Sequence, residues 1–498
     1  MSKRRFAWAQ VFITFRTDSP GKRMRGLISV SRACAGLAGV AAVLLAACGG
    51  TETAGIEGSG FTSPAAVSGP VTSFGSVFVN GVEYSTSAAQ ITIDGQTGTE
   101  AQLNAGQIVT IQGTVSSDGK TGVANALTFA GDVQGPITQV DLVANTFTVL
   151  GQTVKATTST VFDDTIQPGD LTGLSAGAEV EVSGFVDATG AIVASRVDLR
   201  AANSGLQIKG VVQGLDSTAH TFKINGFEVD YSAAAPTSAL TNGDSVLVHG
   251  STLGSNGTLL ATHVEVLPGM GARANEFADL DGVITTFTST ADFVLLGQHV
   301  ATSSSTVFVL HGLVLAAGVE VDVQGKFDAA GVLQAQKVQL KPFSASLVAG
   351  LVDSVSASGN TLSVMGVTIA TSGATALDDH SSQHVRMFRL SDLHTGDYVV
   401  LSGTETTPGT LDAAALEREN LANRSSLLEG TARNVAQPTF TVLGVTVTTT
   451  AQTKYTGPGG AANGASSFFS QAANHIVRVS GSYSGGVLTA TRVQIAGP

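Results

Sequence analysis

The sequence predicts an all-β protein of six tandem small barrels, each of five strands. Two observations carry this. A unit of about 60 to 70 residues recurs six times, marked by the fragment apolar-x-apolar-x-Gly. The copies are Val77-Phe78-Val79-Asn80-Gly81, Phe147-Thr148-Val149-Leu150-Gly151, Phe222-Lys223-Ile224-Asn225-Gly226, Phe293-Val294-Leu295-Leu296-Gly297, Leu362-Ser363-Val364-Met365-Gly366 and Phe440-Thr441-Val442-Leu443-Gly444. A fixed period means one supersecondary unit built in series. Within each unit apolar residues alternate with period 2, which is the mark of strands with one face inward.

The N-terminus comes before the repeats and sets the compartment. Lys22, Arg23 and Arg25 precede an apolar run ending Leu45-Ala46-Ala47-Cys48, the charged, apolar and small-residue regions of a signal peptide over residues 1–47. The uninterrupted apolar stretch after Arg32 is 15 residues, short of the roughly 20 that span a bilayer. Residues 1–23 sit awkwardly upstream, and a start at Met24 gives a more usual charged region. Leu45-Ala46-Ala47-Cys48 resembles the lipobox of bacterial lipoproteins, which implies cleavage before Cys48 and a diacylglycerol on its sulfur. Gly49 rather than Asp follows, and by the same resemblance this favours the outer membrane. The expected location is the cell envelope, with the membrane a partner through the lipid.

Cys34 leaves with the signal, so the mature chain is expected to hold no disulfide and no cysteine-based site. Removal of residues 1–47 leaves 18 basic and 37 acidic residues, a net charge of about −19. Such a surface lacks the basic patches that give nonspecific affinity for nucleic acid, so no nucleic-acid partner is expected. Residues 48–66 are the lipidated Cys and a Gly/Ser/Thr-rich tether with little to bury.

The six units run over 67–130, 133–200, 208–266, 280–341, 348–418 and 427–495. The first strand opens Gly-x-apolar, as at Gly69, Gly135, Gly210, Gly282 and Gly350. The second is the marker fragment, and its Gly turns the chain tightly into a third. Asn80-Gly81 and Asn225-Gly226 suit a two-residue type I′ hairpin, where both positions need positive φ. After a variable insertion, a Leu-x-x-Gly turn leads into a fourth strand, apolar-x-apolar-x-Gly, ending at Gly113, Gly184, Gly250, Gly325, Gly403 and Gly481. In unit six Asn474 replaces the turn Gly. A fifth strand reads Ala-x-x-apolar-x-apolar, as in Ala194/Val197/Leu199. Five strands with an insertion after the third fit a small OB-like barrel; an open five-stranded sandwich fits the pattern too. In unit five, Asp412 to Asn423 reads better as helix than as strand.

This series of strand and turn motifs resembles the bacterial Domain of Unknown Function 5666 family, across nearly all of residues 67–495. The resemblance implies secreted or lipid-anchored tandem β-domains and supplies no active-site residues.

The candidate sites are few. Asp378-Asp379-His380, with His384 and His394, lies in the insertion of unit five. If residues 381–390 are helical, His380 and His384 share a face and could hold zinc with a carboxylate such as Asp379. Ser381 follows His380, so the His-Glu-x-x-His chemistry of metalloproteases is not supported, and a solvated polar loop is the competing reading. Gly269-x-Gly271 matches a dinucleotide fingerprint only formally, since it sits in a Pro/Gly joint outside any βαβ unit. Asp187 to Gly190 and Asp328 to Gly331 read as hairpin turns rather than calcium loops. Phe147, Phe222, Phe293 and Phe440 are expected inside, and Phe468-Phe469 is the aromatic pair to examine for exposure. No catalytic constellation assembles and no cofactor is expected. The sequence therefore favours a noncatalytic structural or interaction lipoprotein of spacer or adhesion type. The alternative is an OB-like module binding polysaccharide or another ligand, with an envelope polysaccharide or protein as partner.

Overall fold

A computed structural model describes residues 63–495 apart from 75, 158, 168, 268–269, 271–272, 311–313, 342–345, 421–424 and 457–461, and without the side chains of 462–463. The signal segment, Cys48, the tether to residue 62 and the Gly269/Gly271 fingerprint lie outside the described residues.

Each unit closes on itself in one strand order. In the second barrel, strand one (Val133–Asp141) pairs antiparallel with strand two (Thr146–Val149), which turns into strand three (Gln152–Lys155). Strand three runs parallel to strand five (Ile192–Leu199), strand five antiparallel to strand four (Glu179–Val186), and strand four returns to strand one. The circuit 1-2-3-5-4-1 leaves no free edge, which decides for a closed OB-type barrel over an open sandwich. The other five units make the same circuit. In barrels 2, 3, 4 and 6 the marker aromatic is buried, with Phe147, Phe222, Phe293 and Phe440 all at 0–1 % exposure, and Val77 and Leu362 fill that place in barrels 1 and 5.

The hairpin between strands two and three is type I′ in all six units. The pairs Asn80-Gly81, Leu150-Gly151, Asn225-Gly226, Leu296-Gly297, Met365-Gly366 and Leu443-Gly444 all have positive φ, at 46–53° and 67–82°. A leucine in this region is strained. Its compensation is burial: a Cβ placed on Gly135 would stand 3.4 Å from Leu150, and one on Gly430 3.3 Å from Leu443. The Gly opening strand one is therefore the floor on which the turn side chain rests. The strand-four glycines have a different cause. Each sits at a register shift against strand five, and a Cβ on Gly184 would lie 2.2 Å from the Val193 carbonyl oxygen. Asn474 takes the turn glycine's place at φ 63°.

Two expectations about local structure are corrected. Residues 63–66, assigned to the tether, begin a strand (Ser63–Ser73) with Ala65 and Ala66 buried. Residues 410–419 of unit five form strand five (Thr410–Glu419), not a helix. The Ala- and Glu-rich composition favours helix, but Leu411, Ala415 and Leu416 are buried by pairing with Tyr398–Thr407 and the parallel strand Ala376–Asp379. Tertiary pairing overrides a propensity worth only tenths of a kcal/mol per residue. The α-helix among the described residues is Ala465–Gln471, in the sixth insertion.

The barrels join in pairs through their first strands. Barrel 2 pairs antiparallel with barrel 3 (Val133↔Ile208), and barrel 5 with barrel 6 (Val348↔Leu428). Barrel 1 pairs in parallel with barrel 4, Ala65↔Phe277 to Ser68↔Leu280. These first strands are covered on both faces, which is why Phe277 to Ile284 are buried without alternation.

Candidate functional site

The insertion of barrel 5 makes the most heavily charged junction. Its short strand Ala376–Asp379 runs parallel to strand five in the register Asp378↔Glu417 and Asp379↔Arg418. Alternation puts Asp378 and Glu417 on one face, continued by His380 and Glu419, and Asp379 and Arg418 on the other. The second set closes the barrel end. Arg418 donates from Nε to Asp379 Oδ1 at 2.8 Å and lies 4.8 Å over the Phe388 ring. Burial alone raises the carboxyl pKa of Asp379, but hydrogen bonds from Arg418 and Ser381 outweigh it and hold it well below the usual range.

The first set faces barrel 2. His380 is 8 % exposed, and its Nε2 stands 3.0 Å from Asp164 Oδ1 and 3.2 Å from Asp378 Oδ2. Neither contact is aligned as a hydrogen bond. His380 Nδ1 lies 3.7 Å from Glu419 Oε1. Burial disfavours the imidazolium, yet Asp164, Asp378 and Glu419 together push the His380 pKa far up. Burial raises Glu417 to about 7, with His380 pulling the other way. Arg196 of barrel 2 reaches Asp378 at 3.3 Å while bonding Asp198 and the Ala105 carbonyl of barrel 1. A cavity of about 390 Å³ opens beside the cluster, lined by Asp164, Thr165, Gln167, His380, His384, Glu419 and Asn420.

The zinc geometry expected from the sequence is corrected in part. Residues 381–390 form turns rather than a helix, apart from the first residue of the 3₁₀ turn Leu390–Asp392, and His384 has a φ of 43°. His380 and His384 nevertheless converge, because both reach Asp164, His384 through Nδ1 at 3.0 Å. Asp379 is drawn away by Arg418, and His394 stands apart, its backbone N–H donating to Asp397. Glu417 and Glu419 were missed because the segment read as helix. As a strand, Glu-x-Glu opposite Asp-x-His puts all four on one face. Elsewhere, Asp187 and Asp328 close hairpins, the Gly190 N–H donating to the Asp187 carbonyl and the Gly331 N–H to the Asp328 carbonyl. Phe468 is fully buried against Phe440, and Phe469 partly so.

A family model described as Domain of unknown function (DUF5666) matches residues 68–125, 134–198, 209–265, 281–339, 349–417 and 429–494, one match to each barrel. The chain belongs to the DUF5666 family. The shared DUF5666 positions are the turn glycines, bulge glycines and inward apolar residues described above, and the His380 cluster lies among residues that the other five barrels do not repeat. No curated protein matches. Among solved structures, "drosophila Unr CSD456" is similar at 15 % identity over 43 % of this chain and 97 % of its own, with a TM-score of 0.12; a likeness at that score carries no argument.

Proposed function

We propose that this DUF5666 chain is a noncatalytic structural or interaction protein of the cell envelope, anchored by lipid on Cys48. The observation that carries the reading is the outer face of strands two and three. OB barrels that hold sugars or bases commonly do so there, by stacking on aromatic rings. In barrels 2, 5 and 6 the outward positions are Thr148, Thr153, Ser363, Thr368, Thr441 and Thr446, and Phe147 and Phe440 point inward; barrel 1 presents Phe78 and Glu83, barrel 3 Lys223 and Glu228, and barrel 4 Val294 and His299. Phe227, partly buried, packs at the barrel 2 junction, where a Cβ on Gly151 would meet it at 3.1 Å. Hydroxyl faces of this kind suit protein contacts.

The barrel pairing supports an interaction body over a string of spacers. Barrel 1 is hydrogen-bonded to barrel 4, and Arg386 of barrel 5 donates to the Glu100 and Leu103 carbonyls of barrel 1. Among the described residues no helix is long and apolar enough to cross a membrane, so attachment in this reading rests on the lipid.

Palmitate labelling with membrane fractionation tests it. The parent incorporates label and sediments with membranes, and Cys48→Ser loses both; an unlabelled parent overturns the anchor. Glycan-array binding at micromolar affinity would move the reading to a polysaccharide-binding module.

A further inference from the structure

We propose that barrels 2 and 5 share a site for one divalent transition-metal ion of the zinc class. His380, Glu417 and Glu419 supply the ligands, and Asp164 reaches in from across the junction.

The fold assembles the donors. The parallel register Asp378↔Glu417 puts His380, Glu417 and Glu419 on one face, and one donor atom from each lies within 4.8 Å of the others. Ligands bound at about 2.1 Å stand at most ~4.2 Å apart, so small side-chain rotations close the set. The imidazole gives the second, independent observation. His380 is more than nine-tenths buried, and its Nε2 lacks a hydrogen-bond partner although carboxylate oxygens of Asp164 and Asp378 crowd it at 3.0 and 3.2 Å. It is directed at Asp164, on the wall of the 390 Å³ cavity, which gives an ion a path from solvent.

Charge points the same way. At the end of strand five, barrel 2 carries Arg200 paired with Glu181, and barrel 4 carries Lys341 paired with Asp281. Barrel 5 has Glu419 at that position, an acid where these two barrels place a cation. Arg196 serves Asp378, and its remaining bonds go to Asp198 and Ala105. One imidazole with carboxylates and no thiolate suits zinc or a similar transition ion; calcium wants six to eight oxygens. An ion here would tie barrel 5 to the Asp164 loop of barrel 2.

Zinc titration of the EDTA-treated protein by calorimetry, with melting curves, tests the proposal. The expected result is one saturable site per chain and a higher melting temperature with zinc. His380→Gln should remove the site. Asp164→Asn, an isosteric change at a partly exposed carboxylate, should weaken binding about tenfold or more, and it decides the matter if His380→Gln does not fold. The exposed His384→Ala should bind within about threefold of the parent. A parent with no saturable zinc binding, or binding unchanged in Asp164→Asn and in folded His380→Gln, overturns it.

Discussion

At the end of its fifth strand barrel 4 carries Lys341, and barrel 5 carries Glu419 at the equivalent place. Around Lys341 stand Asp281 at 2.5 Å, Asp322 at 4.0 Å and partly buried Glu320. Burial raises the pKa of all three carboxyls, Glu320 to about 8 and Asp322 to about 6, and the ammonium works against the rise. Barrel 4 thus contains its own counter-charge. Barrel 5 gathers Asp378, Glu417 and Glu419 around one imidazole and faces a cavity. The same scaffold closes one acidic cluster with a lysine and sets the other around His380 and Arg196 beside an open cavity. In a repeat whose shared positions serve folding, function is best sought where one copy departs from the others.

The largest expected effect comes from removing the internal cation. Lys341→Met should destabilise barrel 4 by about 3 kcal/mol at neutral pH, near the lower end of the cost of orphaning buried charge, read from denaturant unfolding. If stability is unchanged, Lys341 is not the counter-charge. Glu320 gives the pH signature. Its raised pKa, like that of Asp322, means that the folded chain holds protons the unfolded chain releases. This contribution is complete below about pH 4 and is lost as pH rises through roughly 6 and 8. Glu320→Gln should flatten the upper part of that fall, recovering on the order of 1–2 kcal/mol at pH 9; an unaltered pH profile would contradict the assignment.

Giving barrel 5 its neighbour's solution is the converse test. Glu419→Lys should abolish zinc binding, read by calorimetry, and zinc affinity equal to the parent's would contradict the role given to Glu419. The smallest effect belongs to the outer contact of the same insertion. Arg386 lies 4.2 Å over the Phe74 ring of barrel 1, so Arg386→Ala should cost about 1 kcal/mol, measured by melting, without altering zinc affinity.

The barrels were legible because turns and bulges demand glycine wherever a Cβ would collide, as at Gly184 and Gly403. Even Asn474 could be read as a turn residue, since it tolerates positive φ. The pairing of barrels was not legible. Ala65, Ala66 and Val67 are small residues that look like tether, and only the parallel ladder to Phe277–Ser289 explains their burial. The site was half legible: Asp378, His380 and His384 stood out by type, but Glu417 and Glu419 were hidden by a composition that favours helix. The fifth-strand template, Ala-x-x-apolar, was present at Ala413 and Leu416 and outweighs propensity when its partners are in place. Asp164 lies more than 200 residues away in another unit, and only packing brings it near.

The most direct test of the metal site is anomalous diffraction at the zinc edge from a crystal soaked in zinc. The account predicts one peak within about 2.0–2.2 Å of a His380 nitrogen and of oxygens from Glu417 and Glu419. Zinc bound only at surface histidines, with none at His380, would contradict it.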